Sequence, residues 1–286
     1  MIKWIRNGSE LRLDEKPFIL MSHDNFGVVS APRIENTAPL QHGTTDRGFK
    51  LPPRDIVLYI ELFGDSWEHY YQLRDQLVRY FSPSGLPGFL LVEEGGFTRR
   101  IYGYPVDGLG FLDADRTFQR HIVPVVIHCP DPLWISQDYF SLVIQGGGSL
   151  DVGTIPMSIP FTVGTSTLNA QSSVEYSGSF EAYPEFVKII GAITNPKIVN
   201  NSTGAIIEFP GVSIAAGDSY TIELGYGKNR VFDAAGVNRI DKLGVNSDLT
   251  GFKLIPDMSN SFSATGTAIT GLTQIQIFWY ERYIGV

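Results

Sequence analysis

The stretch from Arg54 to Pro83, RDIVLYIELFGDSWEHYYQLRDQLVRYFSP, changes its hydrophobic period in the middle. Ile56, Leu58, Ile60 and Leu62 alternate with Val57, Tyr59 and Glu61, the period of a strand. Beyond Gly64 the apolar residues Trp67, Tyr70, Tyr71, Leu77, Val78 and Phe81 recur at helical spacing instead. Asp65 is placed to cap the first turn, Glu68 three residues on completes a capping box, and Pro83 and Gly85 end the helix. The aromatic stripe is expected to be the face packed on the sheet, because amphipathic burial is what such spacing ordinarily serves. This is the one clear helix of the chain.

Outward from it the signals are those of short strands. Leu11–Leu13, Phe18–Met21 and Gly27–Ser30 precede it; Phe89–Glu93, Arg99–Tyr104 and Phe118–Cys129 follow, separated by Gly95-Gly96 and by Gly108–Gly110. Ala31–Arg54, APRIENTAPLQHGTTDRGFKLPPR, holds four prolines and two glycines among small polar residues and reads as an extended arm rather than a packed element. Two readings of it stand side by side, a surface loop and an arm that reaches a neighbouring subunit. Pro130-Asp131-Pro132 interrupts the strand pattern, so a first domain is expected over 1–133 and a second over 134–286.

After Trp134 the texture turns to Ser, Thr, Gly and Asn, and Gln145–Ser149 reads as a turn or hinge. Strand candidates recur at Ile159–Val163, Phe186–Ile190, Ile206–Phe209, Tyr220–Leu224, Lys253–Ile255 and Gln274–Tyr280, the pattern of a β-sandwich or jelly roll. In the last of these Ile275, Ile277 and Trp279 share one face and are placed to line the core. The fold class expected is mostly β, an N-terminal β domain with one helix packed on its sheet followed by a C-terminal sandwich.

Composition narrows the function. Of 286 residues 43% are hydrophobic, enough for a full core, and 30 glycines and 17 prolines favour many turns. With 22 basic against 30 acidic side chains and a net charge of -8, no Lys/Arg cluster offers the counterion-release term of nucleic-acid binding. The opening Met1–Asn7 carries charges with no apolar run behind it, so the reading is a chain made in the cytosol, without signal peptide or membrane insertion. The lone Cys129, inside the apolar run Ile122–Cys129, reads as a small buried side chain.

No set of side chains assembles into chemistry. His23, His42, His69, His121 and His128 include no metal-ligand spacing, and His121 and His128 fall on opposite faces of one strand. Glu93-Glu94 are strand neighbours that point apart, which suits a charged hairpin end and not a catalytic pair. Gly211-Val212-Ser213-Ile214-Ala215 approaches a nucleophile elbow but lacks the helix that must follow, and Gly103–Gly110 has no helix N-terminus to offer a phosphate. Sequons at Asn7, Asn200 and Asn201 carry little weight without a secretion signal. No catalytic, cofactor-binding or metal residue is therefore assigned, no cofactor is expected, and an enzyme is not expected.

Several segments, taken in order, resemble the siphophage distal tail protein family. They are Arg54–Leu58, the helix through Leu73–Leu77 into Phe81-Ser82-Pro83, Arg99–Tyr104, and Cys129–Trp134 at the expected junction. In the second half they are Tyr183–Phe186, Gly191–Ile198, Asn201–Gly204, Gly225–Lys228 and Trp279–Val286. The resemblance implies a non-enzymatic structural virion protein of a long-tailed bacteriophage. It would form a homohexameric ring at the tail tip, built mainly by the N-terminal domain, with a galectin-like sandwich projecting outward. The implied partners are the chain itself, the tail tube protein, the tail-associated hub protein, and the tape measure or receptor-binding proteins. The rival reading is a carbohydrate-binding tail module, with Tyr176, Tyr183 and Tyr226 as stacking aromatics.

Overall fold

A computed structural model of the protein describes residues 1–83, 86–111, 117–145, 167–270 and 272–286. The chain is mostly β, with one α-helix among the described residues, and divides into two compact units: Met1–Gln137 with Tyr283–Val286, and Asp138–Arg282.

The first unit runs β1 (Ile2–Arg6), β2 (Ser9–Arg12), β3 (Asp14–Glu15), β4 (Phe18–Asp24), β5 (Arg33–Asn36), β6 (Thr45–Phe49), β7 (Arg54–Leu62), α1 (Trp67–Phe81), β8 (Gly88–Glu94), β9 (Phe97–Val106), β10 (His121–Cys129) and β11 (Trp134–Ser136). Its main strands hydrogen-bond in the order β2-β1-β8-β9-β10-β7-β4-β3. Strand β9 serves both halves of this path, pairing with β8 from Phe97 to Gly103 and with β10 from Tyr104 to Val106. Gly103 sits where it passes between them. A Cβ there would lie 2.8 Å from the His128 carbonyl oxygen and 2.9 Å from Cys129 Sγ, so a side chain would push β9 off β10. The alternation read in β7 holds, since Ile56, Leu58, Ile60 and Leu62 are all buried against Val123, Val125 and Ile127 of β10 and the helix.

Three local expectations change. The helix is capped by Ser66, whose Oγ accepts from the His69 amide at 3.2 Å, while the Asp65 amide donates to His69 Nδ1 at 3.2 Å. Ser66 wins because its extended backbone (φ -152°) brings the hydroxyl over the third amide of the helix. Of the aromatic stripe only Tyr70, Leu77 and Phe81, joined by Leu73, face the sheet; Trp67, Tyr71 and Val78 stay 40–46% exposed. Gly27–Ser30 forms no strand, because the Asn25 and Gly27 carbonyls accept from Arg54 Nη1 at 3.0 and 3.1 Å instead of from a neighbouring strand.

The same arginine explains the division of the chain. Its Nη2 donates to the Ile284 carbonyl at 2.7 Å, Arg99 Nη1 donates to Gly285 O at 2.6 Å, and the Val286 amide donates to Phe26 O at 3.1 Å. The Arg99 guanidinium also lies 3.8 Å from the centre of the Tyr283 ring. The last four residues thus belong to the first unit, and with Trp134 fully buried in that unit's core the division falls after Gln137 rather than after Leu133.

The second unit contains β12 (Phe140–Gln145), β13 (Thr167–Glu175), β14 (Phe186–Ile190), β15 (Ile193–Asn200), β16 (Ile206–Glu208), β17 (Ser213–Ile214), β18 (Ser219–Glu223), β19 (Arg230–Asp233), β20 (Ser259–Thr267) and β21 (Gln274–Trp279). They form two sheets, β12-β21-β14-β18-β19 and β13-β20-β15-β16 with β17 on β15. Val187, Ile189, Ile222, Ile275, Ile277 and Trp279 of one sheet share a single core with Leu168, Ile193, Ile198, Ile207, Phe262 and Ala264 of the other. Lys253–Ile255 is not a strand; Leu254 makes only an isolated bridge to Ala182. The expected strand Ile159–Val163 and most of the Gln145–Ser149 turn lie outside the described residues.

Candidate assembly surfaces

The Ala31–Arg54 segment is a β-hairpin whose strands pair only with each other, β5 with β6, with Arg33 opposite Phe49 and Asn36 opposite Thr45. Arg33 fixes it locally: the guanidinium lies 5.7 Å from the Phe49 ring centre and 3.1 Å from an Asp46 carboxylate oxygen. Neither contact provides a core. Ile34 and Phe49 are about half exposed, and Leu40 at the tip is 100% exposed with a left-handed backbone (φ 66°). A hairpin standing alone is marginal in water, and apolar side chains displayed along one are unusual unless something covers them.

A second apolar surface lies on the helix, where Trp67, Tyr71 and Val78 follow one another at helical spacing on the side turned from the sheet. Trp67 meets Tyr71 and, edge-on, Phe118, at 6.4 and 5.9 Å between ring centres, so the cluster is held in place while its outer edges remain open. Beside the C-terminal half of the helix is an open groove of about 740 Å³ lined by Arg6, Gln72, Asp75, Gln76, Arg79 and Tyr80 among others. Arg6 is committed there to structure: its Nη1 donates to the Tyr80 and Ser82 carbonyls at 3.2 and 2.6 Å, closing the helix end.

The histidines, the cysteine and the other candidate groups are dispersed, and most are tied to structural partners. His121 is buried with Nδ1 2.6 Å from the Tyr70 hydroxyl, whereas His128, on the opposite face of β10, pairs with Asp55 at 2.6 Å. His69 lies at the helix start and His23 stacks on Phe26 at 3.6 Å between ring centres. Cys129 is fully buried and its thiol is pushed up to about 12 by that burial, with Arg54 opposing the shift, so it is no thiolate at neutral pH. Glu93 and Glu94 close the β8–β9 hairpin, and Ser213 enters the short strand β17 with no helix after it. No group of three or more His, Cys, Asp or Glu suited to a metal occurs among the described residues. Tyr176 is 5% exposed and donates its hydroxyl to Phe180 O at 2.7 Å, so it offers no stacking surface; Tyr226 is 61% exposed on a loop.

Residues 6–126, most of the first unit, match the family described as phage tail protein RIFT-related domain. No curated protein matches the chain by sequence. Among solved structures the chain resembles the Dit protein of phage SPP1, described as a paradigm of the hub adsorption apparatus in phages infecting Gram-positive bacteria. The TM-score is 0.69 at 15% identity, covering 99% of both chains. It also resembles a chain of the phage P2 baseplate in its activated conformation with calcium, with a TM-score of 0.51 at 10% identity over 97% of this chain and 98% of that one. These matches bear out the family resemblance read from the sequence, and the mostly β two-part fold with it.

Proposed function

We propose that the protein is a structural component of a bacteriophage tail tip, a ring subunit joining the tail tube to the hub and adhesion apparatus. The observation that carries this reading is the fold match with SPP1 Dit, which covers 99% of this chain and so extends over both of its units. The tail-protein family match to residues 6–126 supports it independently at the level of sequence. The ring is read as sixfold on the family resemblance, and its neighbours as the tail tube protein and the tail-associated hub protein.

Closed rings require two different complementary patches on each subunit. The first unit displays two such apolar surfaces, the hairpin with Ile34, Leu40 and Phe49 and the helix stripe with Trp67, Tyr71 and Val78. The hairpin is the projecting one, so it is assigned to subunit association. The role is scaffolding rather than catalysis, since the buried titratable residues His121 and Cys129 serve packing.

Antibody raised against the protein and applied to purified particles should label the end of the tail opposite the capsid. Label on the capsid, or absence of the protein from particles, overturns the proposal. Replacing 34–47 by a short Gly/Ser turn should leave the unfolding transition in place and abolish rings by light-scattering mass; undiminished rings would reduce the hairpin to a surface loop.

A further inference from the structure

The outward-facing residues of β12-β21-β14-β18-β19 form rows that run across all or most of the sheet. One row is Val143, Gln276, Lys188, Thr221 and Phe232, fixed by the strand registers. The next, nearer Tyr139, is Ser141, Phe278, Phe186, Glu223 and Arg230. Phe186 and Phe278 lie 4.4 Å apart between ring centres, and Tyr139 meets Phe278 edge-on at 5.6 Å. On the same face the side chains of Gln145, Gln274, Gln276 and Lys188 make no hydrogen bond or ion pair among the described residues. Glu223 stands opposite Arg230 in the register and contributes to the raised pKa of Lys228, so the charge left without an opposite partner in the middle of the face is Lys188.

The outer face of the other sheet is built differently. There Gln171 Nε2 donates to Ser261 Oγ at 2.7 Å, Asn201 Nδ2 donates to the same hydroxyl at 3.2 Å, and Ser263 Oγ donates to Asn201 Oδ1 at 3.2 Å. Several of its polar groups satisfy one another, whereas Gln145, Gln274, Gln276 and Lys188 of the aromatic face bond to nothing among the described residues.

We propose that this aromatic face binds an acidic oligosaccharide. Flat rings take the C–H face of a pyranose, primary amides donate to and accept from its vicinal hydroxyls, and the unpaired ammonium of Lys188 takes a carboxylate or phosphate substituent. Size decides against a protein occupant. Five strands with three outward residues each span roughly 24 Å by 17 Å, about 400 Å², against about 800 Å² per partner in a standard protein interface. The inference does not rest on the tail-tip reading, and ring formation is measured separately from it.

Full-length protein applied to a glycan array holding neutral, uronic-acid-bearing and phosphate-bearing oligosaccharides should retain acidic members, which are then titrated by calorimetry. Lys188→Met should weaken the acidic glycans by about tenfold, the scale of one charge-assisted hydrogen bond. Phe186→Ala should weaken them comparably, while Gln171→Ala on the opposite face should change nothing. Gln276→Ala, a surface truncation with no partner to lose, repeats the test should Phe186→Ala disturb folding. Retention of no glycan, retention of neutral glycans alone, or binding unchanged by Lys188→Met and Gln276→Ala overturns the proposal.

Discussion

The first unit contains two extensions with opposite fates. The hairpin over 31–51 is the longer, and its two strands pair only with each other. The segment Tyr283–Val286 is only four residues long, yet two arginines hold its carbonyls and a tyrosine ring stacks beneath one of them. The difference lies in what each chain segment leaves unsatisfied. The short segment is mostly backbone, and buried carbonyls are satisfied at once by the guanidinium forks of Arg54 and Arg99. The hairpin satisfies its own backbone by pairing and leaves its apolar side chains over, a debt that only another surface settles. Order in the first case is complete within the chain; in the second Ile34, Leu40 and Phe49 stay exposed.

Arg54→Ala gives the largest expected effect. It strips the Asn25, Gly27 and Ile284 carbonyls of a charged donor in a site only 5% exposed, and should cost the first unit about 3 kcal/mol, read as a shift in its denaturant midpoint. A change under ~1 kcal/mol would mean that water replaces the arginine and that the clasp is incidental. Gly285→Ala should cost about 2 kcal/mol, because its Cβ would lie 2.7 Å from the Gly27 carbonyl carbon and 2.9 Å from its oxygen, backbone atoms that cannot swing aside. On the hairpin the expectation reverses: Ile34→Ser with Phe49→Ser should move the unfolding midpoint by less than ~0.5 kcal/mol yet weaken self-association measurably by sedimentation. Loss of stability without loss of association would make the two extensions alike and end the contrast.

The smallest effect at neutral pH concerns Cys129. Its folded pKa, about 12, stands above the ordinary value of 9.0, so the unfolded chain loses the proton first. Stability is therefore unaffected at neutral pH and falls as pH rises above 9.0 toward 12, a slope that Cys129→Ala should remove. In the native protein at pH 8 the thiol should resist alkylation and react only on unfolding.

Much of this was legible in residue order. The switch of period at Gly64 located β7 and α1, and the alternation of Ile275, Ile277 and Trp279 located the inner face of β21. Strands β13 and β20 went unread because TLNAQSSVE and SNSFSATGT place hydroxyls and amides on the outer face and interrupt the inner one with Ala170, Ser172, Asn260 and Gly266, which flattens the hydrophobic alternation. Strand β15 was obscured by Pro196, which it tolerates at a register shift between Thr194 and Lys197. The helix stripe misled in the other direction, since Trp67, Tyr71 and Val78 obey helical spacing without facing the sheet. No sequence pattern marks Arg54 and Arg99 as partners of residues near 284, because those bonds span 230 and 186 positions of chain.

The return of Tyr283–Val286 to the first unit makes Asp138–Arg282 an insertion held at both ends. A fragment 1–133 would lack the strap that Arg54 and Arg99 hold, so its folding would report on a damaged domain. In polymer terms the insertion is a loop closed by the first unit, and closure entropy grows only with the logarithm of loop length. Doubling the length of chain between the two anchors would cost the first unit about 0.6 kcal/mol. The host domain is therefore nearly indifferent to how much sequence is threaded between its anchors, and the inserted unit is free to lengthen, shorten or be exchanged while the enclosing fold stays in register.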